Sequence, residues 1–213
     1  SSLSFIDALF TATSAVCVTG LIVVDTGQYF STFGQLVIIM LIQIGGFGVM
    51  TMTTVFALIL GKRIQLRSRL IAQESLNRLT VGGVVKLIKL LVKTTLCIEF
   101  VGGVLLSFRL YPDYGLHGIY MAFWHSISAF CNAGFDIFES DCSLAAFRND
   151  WNIIFQLFTM IEIIIGGIGY PLIFDYYEKI RHKRKGLKYS TSLFTKVALC
   201  SYLGVLLIGL AIS

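Results

Sequence analysis

Charged side chains are scarce in this sequence. They make up 14% of the 213 residues, whereas hydrophobic residues make up 56%, and the mean hydropathy is +0.81. Residues 34–60 contain no aspartate, glutamate, lysine, arginine or histidine, and a helix needs roughly 20 apolar residues to cross a bilayer. The run lies too far from the start of the chain, and is too long, to be the apolar region of a signal peptide. This scarcity excludes an ordinary soluble domain and predicts an integral membrane protein.

Metal-ligating and catalytic side chains are also sparse. The three histidines lie apart from one another, and the five cysteines form no CxxC pair, so the usual ligand pattern of a zinc site is absent. Glu99 and Glu162 fall inside predicted spans, where a carboxylate is costly and is usually paired or functional. Neither has a second carboxylate, a histidine or a nucleophile spaced to cooperate with it. We therefore predict no enzyme, no catalytic residue and no cofactor.

One short stretch occurs twice. Residues 16–21 read Val-Cys-Val-Thr-Gly-Leu, and residues 130–135 read Phe-Cys-Asn-Ala-Gly-Phe, 114 positions later. We call them the first and second Cys-x-x-Gly stretches. Each follows a short helical segment, predicted at residues 8–15 and 120–129, and the first of these begins after a capping box formed by residues 4–7. Three turns are too few to cross a bilayer, so these segments are predicted to be re-entrant helices.

A glycine motif repeats after each stretch. Residues 44–48 read Ile-Gly-Gly-Phe-Gly, and residues 165–169 read Ile-Gly-Gly-Ile-Gly. Glycines inside a membrane span let another segment approach closely. Both copies follow the same order of short helix, Cys-x-x-Gly stretch and inner helix. Two repeats in the same orientation predict a pore around an axis normal to the membrane. An inverted repeat would instead have indicated the fold of many secondary transporters.

The basic residues predict the orientation of the chain. Fifteen of the 17 lysines and arginines fall within residues 62–93 and 179–196, while the loops beside the two stretches are acidic or neutral. Basic loops stay in the cytoplasm, so both stretches are predicted to open to the outside of the plasma membrane. The spans are predicted at residues 34–60, 87–110, 153–174 and 193–213.

These spans and the repeats predict an all-α, multi-pass fold of helix–pore-loop–helix repeats. The predicted organisation is a first repeat at residues 1–61, a basic amphipathic linker at 62–86, a second repeat at 87–174, a basic loop at 175–192, and the outer helix of a third repeat at 193–213.

Polar residues and glycines predict three breaks between these elements. They are a polar loop at residues 25–28, a helix break at 80–83 and a turn at 109–118.

The chemistry of the two stretches fits potassium. This ion gives up its water only where oxygens replace it, and rings of backbone carbonyls do so without burying a formal charge. Glycine allows the extended backbone that this needs. The short helices, ending near Ala15 and Ala129, would direct partial negative charge at the ion. The predicted ligands are the backbone carbonyls of Cys17, Val18, Thr19, Gly20, Cys131, Asn132, Ala133 and Gly134.

These motifs resemble the Trk/Ktr/HKT superfamily of potassium transporters. Residues 11–21, 43–48 and 128–135 carry the likeness, which is closest to the bacterial KtrB-type (NtpJ-like) membrane subunits. The resemblance implies a potassium pore of four such repeats, a homodimer, and a cytoplasmic nucleotide-binding regulatory ring of KtrA-like subunits. Glycine at position 20 favours potassium, because plant relatives with serine there transport sodium. Sodium as a coupling or activating ion stays open.

The resemblance also predicts that the chain is a fragment, with one and a half to two of the four repeats. Two filter loops would be missing, so the fragment alone should not enclose a selective pore. Glu99 is expected to pair, with a basic residue of a missing repeat as one partner, and Glu162 either to pair or to line the outer pore.

The leading hypothesis is a potassium-translocating pore subunit with no nucleic-acid partner. One alternative is a secondary transporter with a midplane site, using side chains such as Gln43 and Glu162. A second is a non-conducting membrane scaffold that assembles through its glycine-rich helices.

Overall fold

The computed structural model describes residues 3–48, 81–138, 153–168, 175–177, 179–180, 182–183 and 193–212, and over these residues it contains helices and no strands. We number the main helices in chain order: α1 Phe5–Val16, α2 Thr26–Tyr29, α3 Thr32–Phe47, α4 Val81–Phe130, α5 Ile153–Ile168 and α6 Leu193–Ile212. The all-α prediction is confirmed for this part of the chain. Most of the basic linker predicted at residues 62–86 lies outside the described residues.

Side-chain caps set the start of the first three helices. Ser4 Oγ accepts a hydrogen bond from Asp7 N at 3.2 Å and donates one to Asp7 Oδ2 at 2.6 Å, which confirms the predicted cap. Asp25 and Ser31 cap α2 and α3 in the same way. The Asp25 cap explains why most of the loop predicted at residues 25–28 is the single helical turn α2.

A single residue divides the long helix α4. Gly115 has φ 61° and ψ −138°, which glycine adopts without steric cost, and the chain is helical on both sides of it. Before the break, the ion pair between Arg109 Nη1 and Asp113 Oδ2, at 2.6 Å, supports the helix past Pro112. The turn predicted at residues 109–118 was wrong for all but Gly115.

Two further boundaries of α4 differ from the predictions. The second short helix runs over residues 116–130 and not only 120–129. The break predicted at residues 80–83 was also wrong at 81–83, which are helical.

The predicted spans are helical wherever the structure describes them, except at Gly48, which ends the helix of the first span. Among the described residues, Ile88–Phe130 is the one helical segment long and apolar enough to cross a membrane, and α1, α3, α5 and Thr195–Gly209 are shorter apolar helices. Large apolar side chains face outward on several helices, including Phe33, which is 77% exposed, and Phe108, which is 76% exposed. Such an apolar exterior is typical of a protein whose surroundings are lipid.

The chain forms two compact units, Ser1–Gly167 and Ile168–Ser213. The first unit holds a core to which α1, α3, α4 and α5 all contribute. Its buried residues are Ala15, Ile38, Ile39, Ile42, Leu106, Leu110, Met121, Ala122, Trp124, Ala133, Phe135, Ile137, Phe138 and Phe155.

Gln35 is a polar crosslink within this core. Its side-chain Nε2 donates to the carbonyl oxygens of Gly27 at 3.2 Å and Phe30 at 3.1 Å, and its Oε1 accepts from the Tyr120 hydroxyl at 3.0 Å. Its backbone carbonyl accepts from Trp124 Nε1 at 3.1 Å. Because Gln35 is only 7% exposed, these protein partners replace water. The segment between α1 and α3 is thereby fastened to α4.

We predict that Gln35→Leu lowers the stability of the protein by about 2–4 kcal/mol, because it leaves buried carbonyls and a hydroxyl without partners. The melting temperature of the purified protein in detergent measures the effect. Gln28→Leu is the matched control, since the Gln28 side chain is exposed. Equal melting temperatures for the two variants would contradict this role.

Candidate functional site

The two Cys-x-x-Gly stretches have the same backbone conformation. Val18 and Asn132 have φ of 55° and 59°, and Gly20 and Gly134 have φ of 76° and 72°. Positive φ is tolerated by asparagine and glycine, whereas for a β-branched residue such as Val18 it is a strained outlier. The repeat seen in the sequence is therefore a repeat of backbone geometry.

The same helix-ending hydrogen bonds generate this conformation in both copies. The N–H one residue after the cysteine donates to the carbonyl three residues earlier, and the next N–H donates to the carbonyl five residues earlier. The bonds are Val18 N to Ala15 O (3.2 Å), Thr19 N to Ser14 O (3.0 Å), Asn132 N to Ala129 O (3.0 Å) and Ala133 N to Ser128 O (2.9 Å). This pairing is a Schellman motif, which requires a left-handed residue at the position of Val18 and Asn132.

Two equivalent serines anchor the far end of each stretch. Ser14 Oγ accepts a hydrogen bond from Leu21 N at 3.0 Å, and Ser128 Oγ donates one to Phe135 O at 2.6 Å. Ser14 Oγ also shares a hydrogen bond with Thr19 Oγ1, at 2.8 Å. Both serines are buried. Each stretch is thus held at both ends by the helix that precedes it.

The two stretches lie against each other at their glycines. A Cβ at Gly20 would be 2.6 Å from the carbonyl oxygen of Ala133 and 3.4 Å from the Cα of Gly134, and a Cβ at Gly134 would be 3.5 Å from the Cα of Gly20. Any side chain at position 20 would therefore collide with the second stretch. Two groups of predicted ligands that lie far apart in the sequence are brought together here.

The predicted ligands differ in exposure. Residues 17, 19, 132 and 134 are exposed, residues 18, 20 and 131 are half-buried, and Ala133 is buried.

The repeated glycine motif packs on these stretches, as predicted from its lack of side-chain bulk. A Cβ at Gly45 would overlap the carbonyl oxygen of Val16, and a Cβ at Gly166 would overlap that of Phe130, the equivalent residue of the second copy. A Cβ at Gly46 would overlap the Sγ of Cys131. The end of α3 therefore contacts both stretches.

Glu99 and Glu162 form part of a buried polar cluster beside the second stretch. They are 3% and 5% exposed. Glu99 Oε1 accepts from Gln43 Nε2 at 3.0 Å, and Glu162 Oε1 accepts from Ser126 Oγ at 2.5 Å. Their described partners are thus neutral groups of the protein, and a basic partner for Glu99 from another repeat stays a prediction. For Glu162, the bond favours pairing over lining the outer pore.

An acidic residue, Asp136, directly follows the second stretch. Burial raises the pKa of Asp136 to about 6, a backbone hydrogen bond from Phe138 opposes this shift, and the negative charge of Asp25 adds to it. A cavity of about 240 Å³ lies between the end of this stretch and α5, lined in part by Asp136, His125 and Thr159. His125 Nε2 is 3.3 Å from Thr159 Oγ1.

Sequence reasoning missed His125 and Ser126, because single polar residues on an apolar helix do not indicate which element they will face.

Comparison with known proteins identifies the family. The sequence model of the TrkH family, described as "Cation transport protein", matches residues 1–212. The chain belongs to the TrkH family. The predicted resemblance is therefore confirmed, and with it the assignment to a family of membrane proteins.

Several curated TrkH-like relatives cover nearly the whole chain. It is 45% identical to Ktr system potassium uptake protein B of Bacillus subtilis over 92% of this chain and 42% of that protein. It is 42% identical to the Vibrio alginolyticus protein of the same name, over 98% of this chain and 44% of the relative. The potassium/sodium uptake protein NtpJ of Enterococcus hirae is 39% identical over 98% of this chain and 44% of its own length. The chain thus spans less than half the length of these relatives.

We predict that Gly45→Ala and Gly166→Ala each destabilise this TrkH-family protein by about 1–3 kcal/mol, because the new methyl group would displace a backbone carbonyl. Thermal unfolding of the purified protein measures both. Gly204→Ala is the control, since Gly204 is also helical and, among the described residues outside its own helix backbone, no group lies within 4 Å of its Cβ position. A loss confined to one of the two variants would show that the two glycines are not structurally equivalent.

Proposed function

We propose that this chain supplies two of the repeats that line the pore of a potassium-uptake protein. Membership of a cation-transport family supports transport, and the names of the relatives support potassium as the ion. The name of the Enterococcus hirae relative includes sodium, which supports keeping sodium as a coupling or activating ion. No resident cofactor is part of the proposal.

In this proposal the two Cys-x-x-Gly stretches are two walls of one selectivity filter. The backbone carbonyls of residues 17–20 and 131–134 replace the water around potassium, and neutral oxygens suit an ion that must also leave. One observation carries this assignment: two stretches with the same left-handed turns meet at Gly20 and Gly134. Their short helices end at the stretches, where the helix dipoles favour a cation.

The surroundings of the stretches favour this reading over the alternatives. A secondary transporter with a midplane site needs side chains that a solute can reach, but Gln43 is hydrogen-bonded to Glu99, and Glu162 is only 5% exposed and bonds through its Oε1 to Ser126. A scaffold that only packs through glycines has no use for a strained valine at position 18, because strain of this kind persists only where other contacts enforce it and it clusters at functional sites.

The proposed orientation and partners follow from the rest of the sequence. The basic segments at residues 62–93 and 179–196 stay in the cytoplasm, so the filter opens outward. We propose a homodimer that binds a cytoplasmic nucleotide-binding regulatory subunit. The relatives named as parts of a Ktr system support a second component.

We predict that Gly20→Ser in the complete protein lowers the preference for potassium over sodium at least about fivefold, or about 1 kcal/mol. The new Cβ would press on the Ala133 carbonyl and displace the facing stretch. Potassium uptake with sodium as competitor, normalised to the amount of protein in the membrane, measures this preference.

Gly48→Ser is a matched control for Gly20→Ser. Gly48 also has φ 76°, but among the described residues no group beyond its chain neighbours lies within 4 Å of its Cβ position. Both variants therefore introduce backbone strain, but only Gly20→Ser also introduces a contact with the second stretch. Unchanged selectivity in Gly20→Ser, or an equal loss in both variants, would count against the filter assignment.

A further inference from the structure

The last turns of α3 touch both Cys-x-x-Gly stretches. Gly45 lies against the carbonyl of Val16, at the start of the first stretch, and Gly46 lies against the side chain of Cys131 in the second. Gln43 belongs to the same part of the helix. The end of α3 therefore lies against both stretches.

One carboxylate oxygen connects this part of α3 to the second stretch. Glu99 Oε1, on α4, accepts hydrogen bonds from Gln43 Nε2 at 3.0 Å and from Cys131 Sγ at 3.9 Å. Because Glu99 is almost completely buried, water does not compete for these bonds. A thiol is a weak donor, so the Gln43 bond is the stronger of the two. Glu99 thus bridges an inner helix of one repeat and the filter-like stretch of the other.

The backbone of Glu99 is held by a further hydrogen bond. Ser126, on the short helix before the second stretch, has its Oγ 2.8 Å from the Glu99 carbonyl oxygen and 2.5 Å from Glu162 Oε1. A hydroxyl has one hydrogen, so it donates to one of these acceptors at a time. Gly102 leaves the space that the Glu162 carboxylate occupies. These contacts fix Glu99 relative to α5 and the short helix.

We propose that Glu99 is a positioning residue for ion selectivity. Through Gln43 and Cys131 it holds the second stretch at a set distance from the first. This inference rests on the proposed function, because the spacing of the stretches affects selectivity only if their carbonyls bind the ion. Glu99 acts through Cys131 and not by contacting potassium, and a site held loosely by its supporting residues loses its geometry.

Two substitutions separate the hydrogen bonds of Glu99 from its charge. Glutamine at position 99 keeps a side-chain oxygen that can accept from both donors, whereas alanine removes that acceptor. Gln43→Leu removes the stronger donor and leaves the carboxylate in place. Thr94→Val is the matched control on the same helix, since within the described part of the chain Thr94 Oγ1 bonds to a residue of α4 itself, the Leu90 carbonyl at 2.8 Å.

The test uses the complete protein in membrane vesicles, with radioactive rubidium as the potassium tracer and sodium as competitor. The apparent KM for potassium, the maximal rate and the inhibition by sodium are measured per amount of protein. We expect Glu99→Ala to weaken the potassium preference at least about fivefold and to raise KM, and Gln43→Leu to act in the same direction. Glu99→Gln and Thr94→Val should stay within about twofold of wild type. The double variant Gln43→Leu/Glu99→Ala should be no worse than Glu99→Ala, because both changes remove the same bond.

Two results would overturn the proposal. One is an unchanged preference in Glu99→Ala at normal abundance, and the other is an equal loss in Glu99→Gln, which would assign the effect to charge. If Glu99→Ala does not reach the membrane, the same measurement on Gln43→Leu decides the matter. A wild-type protein without potassium uptake would contradict the proposed function instead, so the two failures are distinguishable.

Discussion

Close contact between backbones is the constraint on which the rest of this structure depends. At Gly45 and Gly166 an inner helix lies against the carbonyl that ends a short helix, and at Gly20 one stretch lies against the other. A single methyl group would be too large at each of these positions. Tight contact of this kind is how helices pair in a membrane, where the hydrophobic effect does not drive them together. The positions of both stretches therefore depend on glycine, because its lack of a side chain permits these contacts.

Burying two carboxylates beside these contacts is costly, and the fold offsets part of the cost with neutral donors. Gln43, Ser126 and Cys131 bond to Glu99 or Glu162, so the described part of the cluster carries no positive charge. A hydrogen bond to a charged acceptor is worth about 1.5–3 kcal/mol, more than a neutral one. In return, each acid joins elements that the helix backbone alone cannot join, since backbone bonds within a helix are already satisfied.

The sequence predicted the repeated elements better than the contacts between them. The constant spacing of the two stretches correctly implied equivalent backbones, and glycines at equivalent places implied close packing. The sequence indicates only one of the two Schellman motifs. Asn132 is a residue type that often adopts the left-handed conformation after a helix, whereas Val18 is not. The turn around Pro112 was predicted too long, because Gly115 alone supplies the break and an ion pair supports the helix before it. The bond between Gln43 and Glu99 joins residues 56 positions apart, and no local pattern predicts such a partner.

The two copies have the same backbone but different side chains. Position 18 is valine in the first stretch, and its equivalent Asn132 donates its side-chain amide to the Phe130 carbonyl at 3.3 Å. Thr19 bonds to Ser14, while the equivalent Ala133 has no side-chain polar group. The serine anchors also differ, since one accepts from an N–H and the other donates to a carbonyl. If side chains bound the ion, such differences would give the two copies different chemistry. Carbonyl groups are the feature that both copies share at every position, which supports the proposed backbone coordination over a side-chain site.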